Sequence, residues 1–360
     1  MEKKYTLCIC YPTYNRSYVL EPKIREYFSI CPDSRYCIRV QDNCSTDGSY
    51  ERLQTIDDPR LLLGQNKENL GLIDNSQTVL YGNEQASYVL FSIDKDFIDP
   101  NYLSSFIDFL ENERPYGGFI ELYNPQNRPP RILKEGVEAV LHSAYLSKHP
   151  TGFFWRSDWL TSEMNKPFFK ELPPKFDFWF DVIMAHCAAS YPVIIVNIPL
   201  IIVCGQRRNS HDPIMDLLKY NKSHYAKTDL YFLPHKRYLE LKTYIGDLLS
   251  LNLSKRCKRK IALQLLVRNL ISVTIALREF YHSNRVYHHN LKRKNYSWKK
   301  QFENMCDAVL LYNKLMAGHD SYRYYKSFVA IGYTTIRMAR LYFGELKKSP
   351  RKRFKKINML

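Results

Sequence analysis

Two aspartates set two residues apart, Asp94 and Asp96 in Ser92-Ile93-Asp94-Lys95-Asp96, carry the strongest chemical signal in the chain; they close the apolar run 87–91, SYVLF. On an extended backbone such a pair projects to one side. Like charges held together repel unless a cation joins them. A divalent ion does this, binds diphosphate oxygens, and neutralises the charge that grows on a phosphate leaving group. Asp94 and Asp96 are therefore candidate ligands of Mn²⁺ or Mg²⁺. The competing reading is a solvated acidic loop ahead of a helix that starts at Asp99 and Pro100.

Two more clusters have the residue types for a nucleotide. Pro12-Thr13-Tyr14-Asn15-Arg16 follows an apolar run and offers a hydroxyl, an amide and a cation. A plain turn would use the same proline and asparagine. Gln41-Asp42-Asn43-Cys44-Ser45-Thr46-Asp47-Gly48-Ser49 follows the next run. At a strand end, the Asp42 carboxylate can accept from a base N–H or a ribose hydroxyl. Asp47 and Ser49 serve equally well as caps of the following helix.

These clusters need a frame that gathers strand ends. The first half supplies one, because short β-branched or aromatic runs alternate with helix-like segments. That is the pattern of an α/β fold with a mostly parallel sheet and crossover helices. Strands are expected at 6–11, 36–41, 61–65, 88–92 and 118–123, and helices at 17–29, 50–56, 73–81 and 100–111. Residues 124–175 read as irregular. A helix at 178–190 and strands at 193–197 and 200–204 follow. Ligands of open α/β sheets bind beyond the carboxyl ends of the strands, which is where all three clusters fall.

Together the three motifs resemble family 2 glycosyltransferases of the GT-A fold, of the bacterial polysaccharide type. PTYNR is similar to that family's opening loop, QDNCSTDGS to its D-D/N-x-S-x-D-G-S/T signature, and SIDKD to its DxD element, with Lys95 in place of the middle aspartate of the common DDD form. Asn66-Lys67-Glu68-Asn69-Leu70-Gly71-Leu72-Ile73-Asp74-Asn75 resembles the family's donor-facing N-x-G-x-x-x-N stretch. The likeness spans roughly residues 5–210. It implies an inverting, metal-assisted transfer of a sugar from a nucleotide-diphosphate donor, UDP by family habit, to an acceptor hydroxyl. Asp42 would then hold the base, and Asp94 the ribose or diphosphate side. Asp96 would ligate the metal. Pro12, Thr13, Tyr14, Asn15, Arg16, Lys95, Asn69, Gly71 and Asn75 would line the donor pocket. A single displacement needs a base for the acceptor proton, and the family places a carboxylate at the start of the helix after the acceptor-binding region. Asp181 and Asp177 lie there, with Asp181 favoured because an apolar helix follows it directly. His211, in the loop after the last strand pair, is the matching candidate beside the metal, with Arg207 and Arg208 near the phosphates. The segment His149–Leu160 is a candidate acceptor wall through Trp155 and Trp159.

The charge balance divides the chain. Its net charge is +17, yet residues 1–200 sum to −6 and residues 201–360 to +23. The composition suggests a catalytic domain over 1–210, a basic helical region over 211–346 for acceptor or membrane docking or for oligomerisation, and a basic tail at 347–360. Long helices are expected at 212–225, 235–250, 255–282, 296–316 and 321–346. Basic clusters interleaved with aromatics suit an anionic membrane surface, and with it a glycan or lipid-linked acceptor. They match no nucleic-acid reader motif, so no nucleic acid is expected. A nucleotidyltransferase would carry a glycine-rich loop after the first strand, and PTYNR is not one. Nine cysteines without a CxxC pair read as reduced thiols in a cytoplasmic protein. No apolar run is long enough to span a bilayer, so any membrane contact would be peripheral, at the inner face.

Overall fold

The computed structural model describes residues 3–122, 128–146, 149–166, 169, 178–203 and 234–282 of the 360-residue chain. Asp177, Arg207, Arg208 and His211 lie outside the described residues, as do the helices expected at 212–225, 296–316 and 321–346 and the tail.

The frame begins with β1 (Tyr5–Thr13), buried along almost its whole length as a central strand must be. Helix α1 (Ser17–Ile30) leads to β2 (Tyr36–Asp42), then α2 (Ser49–Gln54), β3 (Leu61–Gln65), α3 (Leu72–Leu80) and β4 (Ala86–Phe91). After the 92–96 turn come β5 (Phe97–Ile98), a 3₁₀ turn at Pro100–Tyr102, α4 (Leu103–Glu113) and β6 (Gly117–Ile120). Asp99 caps that turn by accepting from the Asn101 N–H, with Pro100 at the first position, as the sequence predicts.

The described residues of the segment expected to be irregular are not so. It holds β7 (Arg128–Leu133), α5 (Val137–Ser143), β8 (Phe153–Arg156) and α6 (Ser157–Met164). Its prolines, Pro129 and Pro130, lie in β7 at the sheet's edge, where a missing N–H is tolerated. Trp155 belongs to β8 and Trp159 to α6, so they do not share a helix face, and Trp155 is fully buried in the core. Then come α7 (Trp179–Ser190), β9 (Val193–Asn197) and β10 (Ile201–Ile202). Beyond the undescribed stretch stand α8 (Pro234–Ser250) and α9 (Lys255–His282), close to the expected bounds.

The sheet order is β3-β2-β1-β4-β8-β6-β9-β7. The β1–β2, β2–β3, β1–β4 and β6–β9 pairs are parallel, and β8 is inserted antiparallel between β4 and β6. Leu7, Ile9 and Tyr11 pack in one cluster with Leu20, Ile24 and Tyr27 of α1 and Phe106, Ile107 and Leu110 of α4. Each such side chain contributes about 1.5–3 kcal/mol on burial. Gly118 permits the β6–β9 contact, since a Cβ there would stand 2.2 Å from the Ile194 carbonyl oxygen.

The topology brings strand ends together. The chain leaves β1 toward β2 and β3, then returns to β4 on the other side of β1. At such a switch point the two connections diverge and leave a crevice beyond the carboxyl ends of the strands. Register aligns Thr13 with Asp42 and Asp42 with Gln65, so three strand ends present their last residues in one row.

The chain divides into two compact units. One comprises 1–225 with 246–261, and the other 226–245 with 262–360. Among the described residues no helix is long and apolar enough to cross a membrane.

Candidate active site

At the end of β4 the chain turns, with the Asp96 N–H donating to the Ile93 carbonyl at 3.1 Å. Asp94 and Asp96 therefore do not sit on an extended strand, as the sequence pattern suggested, but on a turn, and they face different partners. Arg16 Nη1 donates to Asp94 Oδ1 at 2.8 Å, and Thr13 Oγ1 to Asp94 Oδ2 at 3.3 Å. Thr151 Oγ1 donates to Asp96 Oδ2, and His149 Nδ1 lies 3.5 Å from the same oxygen. Beneath the turn, the buried Lys23 of α1 donates to the backbone carbonyls of both Asp94 and Asp96, at 2.8 Å each. Lys95, half-buried, lies between the two aspartates. Burial holds the His149 imidazole below its ordinary pKa; the Lys95 charge lowers it further, against the pull of Asp96.

The acidic charge is thus balanced in part by the chain's own cations, Arg16 and Lys23. Both carboxylates still offer hard oxygens, the donor type that Mg²⁺ and Mn²⁺ take. Among the described residues no three metal-ligating side chains converge. A cation would fit here only by taking Asp96 and Asp94 and completing its shell from diphosphate oxygens and water, as ions of this class do.

The second group lies across β1 and β2. Asp42 is fully buried and accepts from the Ser45 N–H at 2.9 Å, from the Ser45 hydroxyl, and from Gln65 Nε2 at 3.1 Å. Asn15 clips the two loops together, its N–H donating to Ser45 Oγ at 2.8 Å while its Oδ1 accepts from the Thr46 N–H at 2.8 Å. Asn15 and Cys44 both adopt left-handed backbone, with φ of 54° and 59°. Such strained positions persist where the surroundings over-determine them, and they cluster at functional loops. Asn43 donates to Asn69 Oδ1 at 2.9 Å and to the Gly71 carbonyl at 3.1 Å. Asn75, also buried, donates to the Gln41 carbonyl at 3.1 Å and accepts from Asn66 at 2.8 Å. This amide network holds the 66–75 stretch against the end of β2. Pro12 occupies β1 just past the last β4 pairing, Cys10 with Phe91, where it has no N–H to lose. Tyr14 is half-buried in the same loop.

Asp181 lies buried in the first turn of α7. Its neighbour Phe180 packs on Phe91, the last residue of β4, with ring centroids 4.5 Å apart. The start of α7 is thereby set beside the strand that delivers the 92–96 turn. β10 pairs with β5 directly after that turn, Ile202 opposite Phe97, and His211 follows nine residues on.

Sequence reasoning did not single out Lys23 or Thr151. Lys23 had a signal. It stands in the apolar stripe Val19, Leu20, Ile24 and Tyr27 of α1, all buried, where a charge is out of place. Thr151 had none, because its partner lies 55 residues away.

No family model matches the chain, and no curated protein matches it. Solved structures do. TarS 1–349 from S. aureus matches at a TM-score of 0.56 with 17% identity, over 87% of this chain and 81% of that one. The same protein in complex with UDP-GlcNAc matches at 0.56 and 17%, over 85% and 81%. The mannosyltransferase PcManGT from Pyrobaculum calidifontis, solved with GDP-Man and Mn²⁺, gives 0.47 and 15%, over 94% and 86%. At this identity the likeness to TarS is one of fold, and the architecture is the α/β GT-A fold that the motifs implied.

Proposed function

We propose that this chain is an inverting, metal-assisted glycosyltransferase of family 2 type, in the hexosyltransferase class. It moves a sugar from a nucleoside-diphosphate donor, UDP-sugar first, to a hydroxyl of a glycan or lipid-linked acceptor in polysaccharide synthesis. One observation supports the reading: at the end of β4, Asp94 is bonded by Thr13 and Arg16, with Asp96 two residues on, and beside Thr13 lies the Asp42–Gln65 row at the ends of β2 and β3. The first set suits a diphosphate and the second a nucleoside. The shared fold of TarS, which was solved with UDP and with UDP-GlcNAc, supports the same choice of ligand.

Each residue then has a role. Asp42, with Asn69, Gly71 and Asn75 behind it, frames the base. Pro12, Thr13, Tyr14 and Asn15 line the nucleotide, and Lys95 stands at the diphosphate end. Arg16 exchanges its bond with Asp94 for one with a phosphate oxygen, a geometry its planar fork suits. Asp96 and Asp94, joined by His211, would hold Mn²⁺ or Mg²⁺, which would offset charge on the leaving diphosphate. Asp181, or Asp177 in its place, takes the acceptor proton as the acceptor oxygen bonds to the sugar carbon. The carbon–oxygen bond to the β-phosphate breaks, and its electron pair stays on the diphosphate. The basic C-terminal half docks the protein peripherally at the cytoplasmic face of an anionic membrane.

A thermal-shift panel of UDP, GDP and their sugar conjugates, with and without MnCl₂, tests this. Ligand at about 100 times its Kd adds roughly 2.7 kcal/mol, which raises Tm by several degrees for a unit of this size. A panel in which no nucleotide moves Tm would sink the reading.

A further inference from the structure

We propose that Lys23 is a positioning residue of the donor site: its ammonium grips the underside of the 94–96 turn and fixes how both aspartates are presented to the diphosphate. The proposal rests on the donor-site reading above. Three observations carry it. Lys23 is 2% exposed and stands on the core-facing stripe of α1, among Val19, Leu20, Ile24 and Tyr27. A long aliphatic side chain would fill that place without burying a charge, and a buried ammonium is tolerated only when it is well paired. Here two of its three donors go to the backbone carbonyls of Asp94 and Asp96, two residues apart, at 2.8 Å each. One rigid group thus spans both ends of the turn, while the Asp96 N–H to Ile93 bond closes it from within.

The consequence is preorganisation. Short turns sample several backbone states, and each re-aims the side chains. With its two outer carbonyls held by one ammonium, the 94–96 turn is biased toward the state seen here. Asp94 then meets Thr13 and Arg16, and Asp96 meets Thr151. A ligand site must be held to within about 0.5 Å by its supporting residues, and Lys23 is the support under this one. Both bonds go to backbone, so through them it acts on the aspartates' posture.

A core role and a positioning role part company in what they do to different ligands. A packing defect lowers stability and weakens every ligand alike. Loss of positioning weakens only ligands that reach the turn. Lys23→Met in the full chain, compared with wild type, should lose at least about tenfold in affinity for UDP with MnCl₂ by calorimetry. Its affinity for uridine, which has no phosphates, should stay within about twofold by NMR titration. Equal losses for both probes, or UDP–Mn²⁺ affinity unchanged in a folded variant, overturns the proposal. If Lys23→Met does not unfold cooperatively, Lys23→Gln carries the same comparison, and an unchanged UDP-to-uridine ratio there overturns it too. Wild-type protein that binds uridine and UDP equally, or neither, removes the donor-site reading itself and the proposal with it.

Discussion

The two aspartates of the 94–96 turn do different work at the scale of single residues. Asp94 is tied to Arg16 and Thr13, whereas Asp96 is fully buried against Thr151 and His149. In the proposed mechanism Asp96 serves donor binding and Asp181 serves proton transfer. Asp96→Ala should therefore abolish both transfer and the Mn²⁺-dependent part of UDP binding. Asp181→Asn should keep UDP binding and lose about 10²–10⁴ in kcat, the usual worth of a general base. Steady-state kinetics beside calorimetry on the two variants would show the split. Full activity in Asp181→Asn together with loss in Asp177→Asn would move the base to Asp177. Here the sequence was most informative about identity and least about posture. It singled out Asp94 and Asp96, but their period-two spacing suggested an extended pair, and only the turn shows them bonded to different partners.

At the scale of elements, α7 matters because it carries Asp181 in its first turn. Its other end is held by a buried ion network. His186 Nδ1 meets Glu163 of α6 at 2.7 Å, and His186 Nε2 meets Asp247 of α8 at 2.8 Å. Lys166 Nζ pairs with Glu163, the Tyr145 hydroxyl donates to Asp247, and the Phe169 ring packs on His186. Burial works against the charged imidazolium, but the hydrogen bonds and charges of Asp247 and Glu163 outweigh it and hold His186 at about 9. A group whose folded pKa lies above its unfolded value of about 6.5 gives stability that is complete below that value and is lost as pH rises through 9. Tm should therefore fall by about 5 °C between pH 7 and 10 for a unit of this size. In Asp247→Asn the fall should begin at lower pH, since one partner that raises His186 is gone. A fall at the same pH in both proteins would show that other groups cause it. None of this network was legible in the sequence, because Tyr145 and Asp247 are 102 residues apart and His186 and Asp247 are 61 apart.

The whole molecule is electrically lopsided, with its positive excess in the last 160 residues. Helix α9 starts Lys255-Arg256-Cys257-Lys258-Arg259-Lys260 and has no acidic residue in its first turn. Cations at that end oppose the helix dipole, so the composition is not there to stabilise the helix. An anionic surface would repay it, at about 1 kcal/mol per basic residue near a charged bilayer. The full chain should cosediment with phosphatidylglycerol vesicles at about 50 mM NaCl and leave them at about 500 mM, as screening shortens the reach of each charge. Equal binding to neutral phosphatidylcholine vesicles would remove charge as the cause.

The amino-acid sequence alone determined the order of strands and helices through β4, the start of α4, and the three loops that meet at the strand ends. Those features are local: buried runs, turn residues and caps act over a few positions, so they are written in neighbouring residues. The tertiary structure decided that β7, α5, β8 and α6 fall within 128–164, with β8 antiparallel inside the sheet. It also decided that Lys23 and Thr151 support the acidic turn and that a histidine between two carboxylates anchors α7. Those contacts join residues 23 to 102 positions apart. No periodicity records such a pairing, since each partner is chosen by the path of the chain between them.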